Sequence, residues 1–364
     1  MKLIISLLFN DIMIIKLNNT KLGKRIFLKS TIILFVILLF LSICSIFIGV
    51  LDVSLTGILS GNLKELEILF ISRFPRLLAA ILSGISLSVA GLIMQQLCQN
   101  NFVSPTTGGT IASSQFGILL ALIFLPESTI FQKALFSFGA AMVGTWIYIG
   151  FIQAVQFKDS VMVALVGIMF GYVITGITTY FAFRYDLVQA LSTWLTGSFS
   201  LVIKGRYEIL YLSLPLVLIA FIFANYFNIV GMGKDFSKNL GVPYSVLLFL
   251  GLSLSAMLTA SVVVVVGAIS YIGLIVPNLV RMFKGDNLKG TIIDTALFGA
   301  SFVLMCDILG RLIMMPYELP IDLIAGVLGS IIFIALIVMK LNHFNLFTYF
   351  SGCLNSTIKV KKDE

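Results

Sequence analysis

Charge is what this chain has least of. Only 11% of its 364 residues are Asp, Glu, Lys or Arg, against about 25% in a soluble domain, so too few charges exist to clothe a water-facing surface. Histidine is nearly absent: His343 stands alone beyond the last long apolar run, which argues against a proton relay built on imidazole. The four cysteines, Cys44, Cys98, Cys306 and Cys353, lie far apart and make no CxxC or Cys/His spacing. Neither a metal site nor a disulfide framework is therefore indicated. A GxxxxGK[ST] loop is missing as well; the nearest string, GMGKD at 231–235, has the wrong spacing to cradle phosphates.

What is present is apolar: 59% of residues are hydrophobic and the mean hydropathy is +1.09. Spans of about 20 residues cross a hydrocarbon core of about 30 Å, so the length suits roughly ten crossings and leaves little for an extramembrane domain. The expected fold class is all-α and polytopic, a compact bundle of ten transmembrane helices. The net charge of +8 gathers at the ends rather than in a basic stripe with interleaved aromatics, which argues against nucleic acid as a partner. Lys16, Lys21, Lys24, Arg25 and Lys29 precede the first long apolar run with no acid among them. By the positive-inside rule the N-terminus is expected in the cytoplasm, and Lys340, Lys359, Lys361 and Lys362 place the C-terminus there too.

Along the chain, residues 1–15 are apolar but too short to span, and read as an amphipathic flap or as sequence upstream of a start at Met13. Spans are expected at about 31–50, then the arginine-headed run with no charge from Leu77 to Leu97, ending near Asn100, then 107–125, 130–155, 161–183, 207–228, 244–266, 267–283, 291–314 and 320–340. The domain division is 1–29 as a cytoplasmic segment, 30–340 as the ten-helix domain and 341–364 as a cytoplasmic tail. Arg73 and Arg76 flank Pro75 at a helix mouth, where the missing proline N–H costs nothing. Alternation puts these arginines outside the cell, in company with a short interfacial helix within 187–200 that carries Trp194. The run 267–283, with Gly267, Gly273 and Pro277, needs neighbours to shelter its broken hydrogen-bond ladder. Small residues at helical spacing, Ala80-xxx-Gly84-xxx-Ser88, read as a close-packing face.

Taken in order, RFPRLLAAILSG (73–84), GLIMQQLCQNNFVSPTTGG (91–109), GKDFSKNLGVP (233–243), GAISYIGLIVPNLVR (267–281) and DILGR with ELP (307–320) resemble the permease family that imports ferric siderophores and cobalamin in bacterial ABC transporters. The resemblance covers about residues 30–340. It implies a cobalamin-permease-like fold in the bacterial cell membrane, a second identical or homologous permease subunit, two cytoplasmic ATPase subunits using Mg-ATP, and an extracytoplasmic siderophore-binding protein. No cofactor or metal is expected on this chain, in keeping with the missing phosphate loop. Gly233, Lys234, Asp235, Phe236, Ser237, Lys238, Leu240 and Gly241 match the segment that inserts into the ATPase. Phe236 and Leu240 are four apart and share a face, and an ordinary solvated loop is the rival reading. Arg73, Arg76 and Arg311 match arginines that meet carboxylates of the binding protein, with anchoring at the lipid interface as the rival.

Two departures stand out. Asn278 occupies the position after Pro277 where the family usually has histidine, and asparagine cannot titrate. Together with GDNL at 285–288 this resembles a subgroup handling catecholate-type ferric siderophores. Asp322 stands where glycine is usual, and its place is either the outer mouth or the membrane interior. Trp194, Asn278, Ala325, Gly326 and Gly329 are the pathway candidates. Two other readings stay open: import of cobalamin or haem, and an ion-coupled secondary transporter, for which only Asp294 and Asp307 near the ends of one span would qualify.

Overall fold

The computed structural model describes residues 21–49, 63–155, 160–285 and 287–341. The opening segment 1–15, the Lys158-Asp159 turn, most of the 52–67 loop, His343, Cys353 and the terminal lysines lie outside these. The described chain is built of helices α1 (Lys21–Phe47), α2 (Leu63–Ile68), α3 (Phe74–Leu97), α4 (Thr110–Phe124), α5 (Ile130–Val155), α6 (Ser160–Arg184) and α7 (Val188–Leu195). These are followed by α8 (Ser213–Val230), α9 (Lys234–Asn239), α10 (Tyr244–Val265), α11 (Ile272–Lys284), α12 (Leu288–Leu312) and α13 (Ile321–Leu341). A π-helical turn, Leu69–Arg73, joins α2 to α3. Among the described residues eight helical stretches are long and apolar enough to cross a membrane. With the shorter α4 and α11, they make the ten expected spans.

Helices α3, α10 and α12 form the centre, and α1, α6, α8 and α13 expose broad apolar faces around them. Lipid tails are as apolar as leucine, so such a bundle coheres through close van der Waals fit rather than water exclusion. The fit is visible at two glycine pairs along α3. A Cβ on Gly84 would come within 2.5 Å of the Gly299 carbonyl oxygen on α12. One on Gly91 would collide with the backbone of Gly273 on α11. Two hydroxyls on this helix turn back on its own backbone, Ser86 to the Leu82 carbonyl and Ser88 to that of Gly84, whereas the equally buried Ser83 hydroxyl has no partner among the described residues.

The expected span 267–283 begins five residues late. Gly267 has φ +95° and Tyr271 φ +66°, a left-handed pair that keeps 266–271 out of the helix. The backbone there is held by neighbours: Ser198 N donates to the Val266 carbonyl at 2.9 Å, Thr196 bridges Ala268, and Ser270 N donates to Asp322 at 2.8 Å. Asp322 is thus half-buried in the protein, serving a broken ladder. Further along, Pro277 cannot supply the N–H that would bond the Gly273 carbonyl. The Gln95 amide, 3.4 Å from that oxygen and 3.1 Å from the next, takes over.

Candidate functional site

Helix α3 has 24 residues, about 36 Å at 1.5 Å per residue, and its two ends carry the two chemically distinct sites. At its N-terminal end Pro75 sets the first turn, so Arg73 and Arg76 follow the π-turn at fixed angles. Arg76 is buried, with Nε at 3.2 Å and Nη2 at 2.7 Å from Asp307 Oδ1 on α12. Its Nη1 donates to both Glu318 carboxylate oxygens at 2.8 Å. Asp307 also receives Arg311, one turn on, at 2.7 Å. The Arg311 Nη1 reaches the Ser45 carbonyl at 2.9 Å and that of Ile48 at 2.6 Å, and Nη2 reaches the Ser45 hydroxyl at 2.6 Å. Arg73 Nη1 reaches the same Ile48 carbonyl at 2.7 Å. Three guanidiniums and two carboxylates therefore tie α3 and α12 to the end of α1.

The expectation of three arginines presented on an outer surface needs correcting in one respect. Relative exposures of 8% for Arg73, 9% for Arg76 and 2% for Arg311 show that they face into the protein. The reason is electrostatic: a guanidinium beside apolar helices is stable only with its countercharge and its remaining donors paired. Asp307, read from sequence as a helix-terminal acid, is the hub of this cluster, and Glu318 of the ELP turn closes it. The sequence did hold a signal, the Asp307-xxx-Arg311 spacing that puts both side chains on one helix face.

At the other end of α3 the segment after Leu97 meets the α8–α10 connection. Gly233 opens α9 at φ +110° and Gly241 turns the chain out of it at φ +72°, both in the region glycine tolerates. Ser237 is fully buried and anchors the helix, donating to the Gly233 carbonyl at 2.7 Å and the Ile229 carbonyl at 3.0 Å. Phe236 and Leu240 stand 47% and 55% exposed, with Lys234, Asp235 and Lys238 exposed around them. Phe236 and Leu240, four residues apart, thus share one exposed apolar face at α9. Beside this loop Arg281 of α11 donates to Gln96 and Asn101, and the Asn278 amide donates to the Asn101 carbonyl at 2.8 Å.

The remaining pathway candidates lie on α7, α11 and α13, and the start of α13 meets the segment after α7, Asp322 N donating to the Gly197 carbonyl at 3.3 Å. Ala325 is fully buried in the core around α3 and α12. Gly329 packs on the Tyr271 and Ile275 side chains, whereas a side chain at Gly326 would meet open space. Trp194 is half-buried, its ring 5.2 Å from both Lys133 Nζ and Arg206 Cζ. Asn278 is spoken for by backbone carbonyls. Among the described residues no three His, Cys, Asp or Glu side chains gather as a metal site would need.

The profile of the FecCD transport family matches residues 36–339. The chain belongs to the FecCD transport family. Similar relatives include the petrobactin import system permease YclN of Bacillus subtilis (strain 168), 44% identical over 307 residues that make up 84% of this chain and 97% of the relative. The ferric-anguibactin transport system permease FatD of Vibrio anguillarum (strain ATCC 68554 / 775) is 36% identical across 82% of this chain and 96% of its own. Among solved structures, a metal-chelate-type ABC transporter in an inward-facing conformation superposes with a TM-score of 0.74 over 85% of this chain and 99% of that one. Its identity is 24%, so this likeness speaks for the fold. As a FecCD member the chain is a membrane permease, a transport subunit rather than an enzyme.

Proposed function

We propose that this chain is the membrane-spanning permease of an ABC importer for a ferric siderophore of the petrobactin type, working with a second permease subunit, two cytoplasmic ATPases that use Mg-ATP, and an extracytoplasmic binding protein. The observation that carries the reading is 44% identity to a petrobactin import permease, sustained over 97% of that protein. In this reading the α9 face is cytoplasmic, with both termini on the same side, and the arginine end is extracytoplasmic. Phe236 and Leu240 then enter a cleft of the ATPase, with Lys234, Asp235 and Lys238 at its rim. The arginine cluster marks where the loaded binding protein docks. The pathway for the chelate runs between two permease subunits, with Ala325, Gly326 and Gly329 of α13 and Trp194 of α7 beside it.

Ion coupling is poorly supported by the carboxylates. Asp307 is neutralised by Arg76 and Arg311, Asp294 is paired with Lys284, and Asp322 accepts from the Ser270 backbone. A site for a driving ion needs a carboxylate that can take up and release its charge partner.

Uptake of radio-iron by cells lacking this chain tests the reading. Delivered as ferric petrobactin the iron should fail to enter, while iron on hydroxamate or citrate chelates enters at the parental rate. Undiminished petrobactin uptake, or loss of cobalamin uptake alone, would overturn it.

A further inference from the structure

Within the arginine cluster the groups differ in how far a partner could reach them. Arg311 is 2% exposed and its Nη atoms are committed to Asp307, Ser45 and Ile48. Asp307 has 3% of its side chain exposed. Glu318 has 25% of its side chain exposed, the most open of the ion-paired groups. It lies on the 313–320 connection, outside any helix, beside Met314, Met315 and Tyr317, which are 51%, 50% and 75% exposed. Methionine and tyrosine are enriched where proteins meet other proteins.

A guanidinium grips a carboxylate with two parallel N–H groups. On Arg76 that fork is already full, with Nη2 on Asp307 and Nη1 on Glu318. An incoming carboxylate can therefore take Nη1 only by displacing what is there. Asp307 is locked by direct contact with two arginines, whereas the direct ion pair of Glu318 is with Arg76, and Arg73 and Arg311 act on it at longer range.

We propose that Glu318 is a place-holder: in the free permease its carboxylate fills the berth on Arg76 that an acidic side chain of the binding protein takes on docking, and the exchange releases the 313–320 connection to meet that partner. This rests on the docking reading above and names which arginine is the contact and which residue competes for it. Arg311 stays buried as a support and makes no contact of its own.

The test uses the permease assembled with its ATPases in nanodiscs, and the binding protein that carries the chelate identified by the uptake experiment. Association rates are measured at low and high salt. Glu318→Gln should associate about fivefold faster than the parent, the scale of losing one partly exposed ion pair. Arg76→Gln should associate more slowly, and adding Glu318→Gln to Arg76→Gln should bring no further gain. An equal gain with and without Arg76 would make the effect a general change of surface charge and would overturn the exchange. So would Glu318→Gln matching the parent or binding more slowly. Glu318→Asp, a methylene shorter, gives the same sign at smaller size if the Gln variant fails to assemble. Should neither Arg73→Glu nor Arg76→Glu alter docking, the docking reading itself falls, and that outcome is distinct from failure of the exchange alone.

Discussion

At the scale of single residues, the buried charges set the most demanding conditions. Removing one member of a buried ion pair leaves its partner desolvated and unmatched, at a cost of about 3 to 5 kcal/mol. Asp307→Asn strips the shared countercharge from Arg76 and Arg311 together, so it is expected to destabilise the permease by about 3 kcal/mol or more. Denaturant unfolding in detergent micelles measures this, and an unshifted midpoint would show that Asp307 is not the hub. Sequence alone could not supply this residue's role. Composition and span length revealed that Asp307 stands near a helix end, but its partner Arg76 lies 231 residues away, and nothing in local spacing links α3 to α12 or to the ELP turn, whose Glu318 takes the other side of Arg76. Asp322 illustrates the same limit. Its identity was visible as a departure, whereas its task, receiving the Ser270 N–H, exists only because the α10–α11 connection dips into the bundle.

Elements were far more legible. Ten apolar runs became ten helices because in lipid an unbroken intrahelical ladder is the only cheap way to satisfy the backbone, and that rule needs no tertiary knowledge. The late start of α11 falls where glycine and a left-handed tyrosine are supported by a distant loop, while α1 begins ten residues before its expected span and α8 follows a 3-10 turn at Glu208–Leu212. Close packing was legible as well: the face of Gly84 and Ser88 does meet α12. Two glycines separate packing from passage. Gly84→Leu forces a side chain into the Gly299 backbone and should cost more than the 1 to 3 kcal/mol usual for overpacking, read as loss of folded protein from membranes. A Cβ added at Gly326 meets nothing within 4 Å, so Gly326→Ala should keep stability within about 0.5 kcal/mol of the parent. If α13 borders the route of the chelate, the larger Gly326→Leu should slow uptake; normal uptake would remove Gly326 from the pathway. On α9, Phe236→Asp changes an exposed side chain, so the permease should fold normally yet lose its ATPase on co-purification. Retention of the ATPase together with undiminished transport would show that α9 is an ordinary solvated loop.

For the whole molecule, the sequence carried membrane residence, helix count and family resemblance, because each depends on composition or on ordered strings. It did not carry the side-chain clusters, since these are spread to opposite ends of one central helix and draw on residues far apart in sequence. The position of α3 has a mechanical consequence. Backbone lies against backbone at Gly84 and again at Gly91, and interiors packed this tightly have low compressibility. The helix can neither bend between its ends nor slide by less than a full step along its neighbours. Held at two points, on α12 at Gly84 and on α11 at Gly91, it cannot tilt on its own, so any displacement of its arginine end carries Gln95 and Gln96 and both neighbouring helices with it.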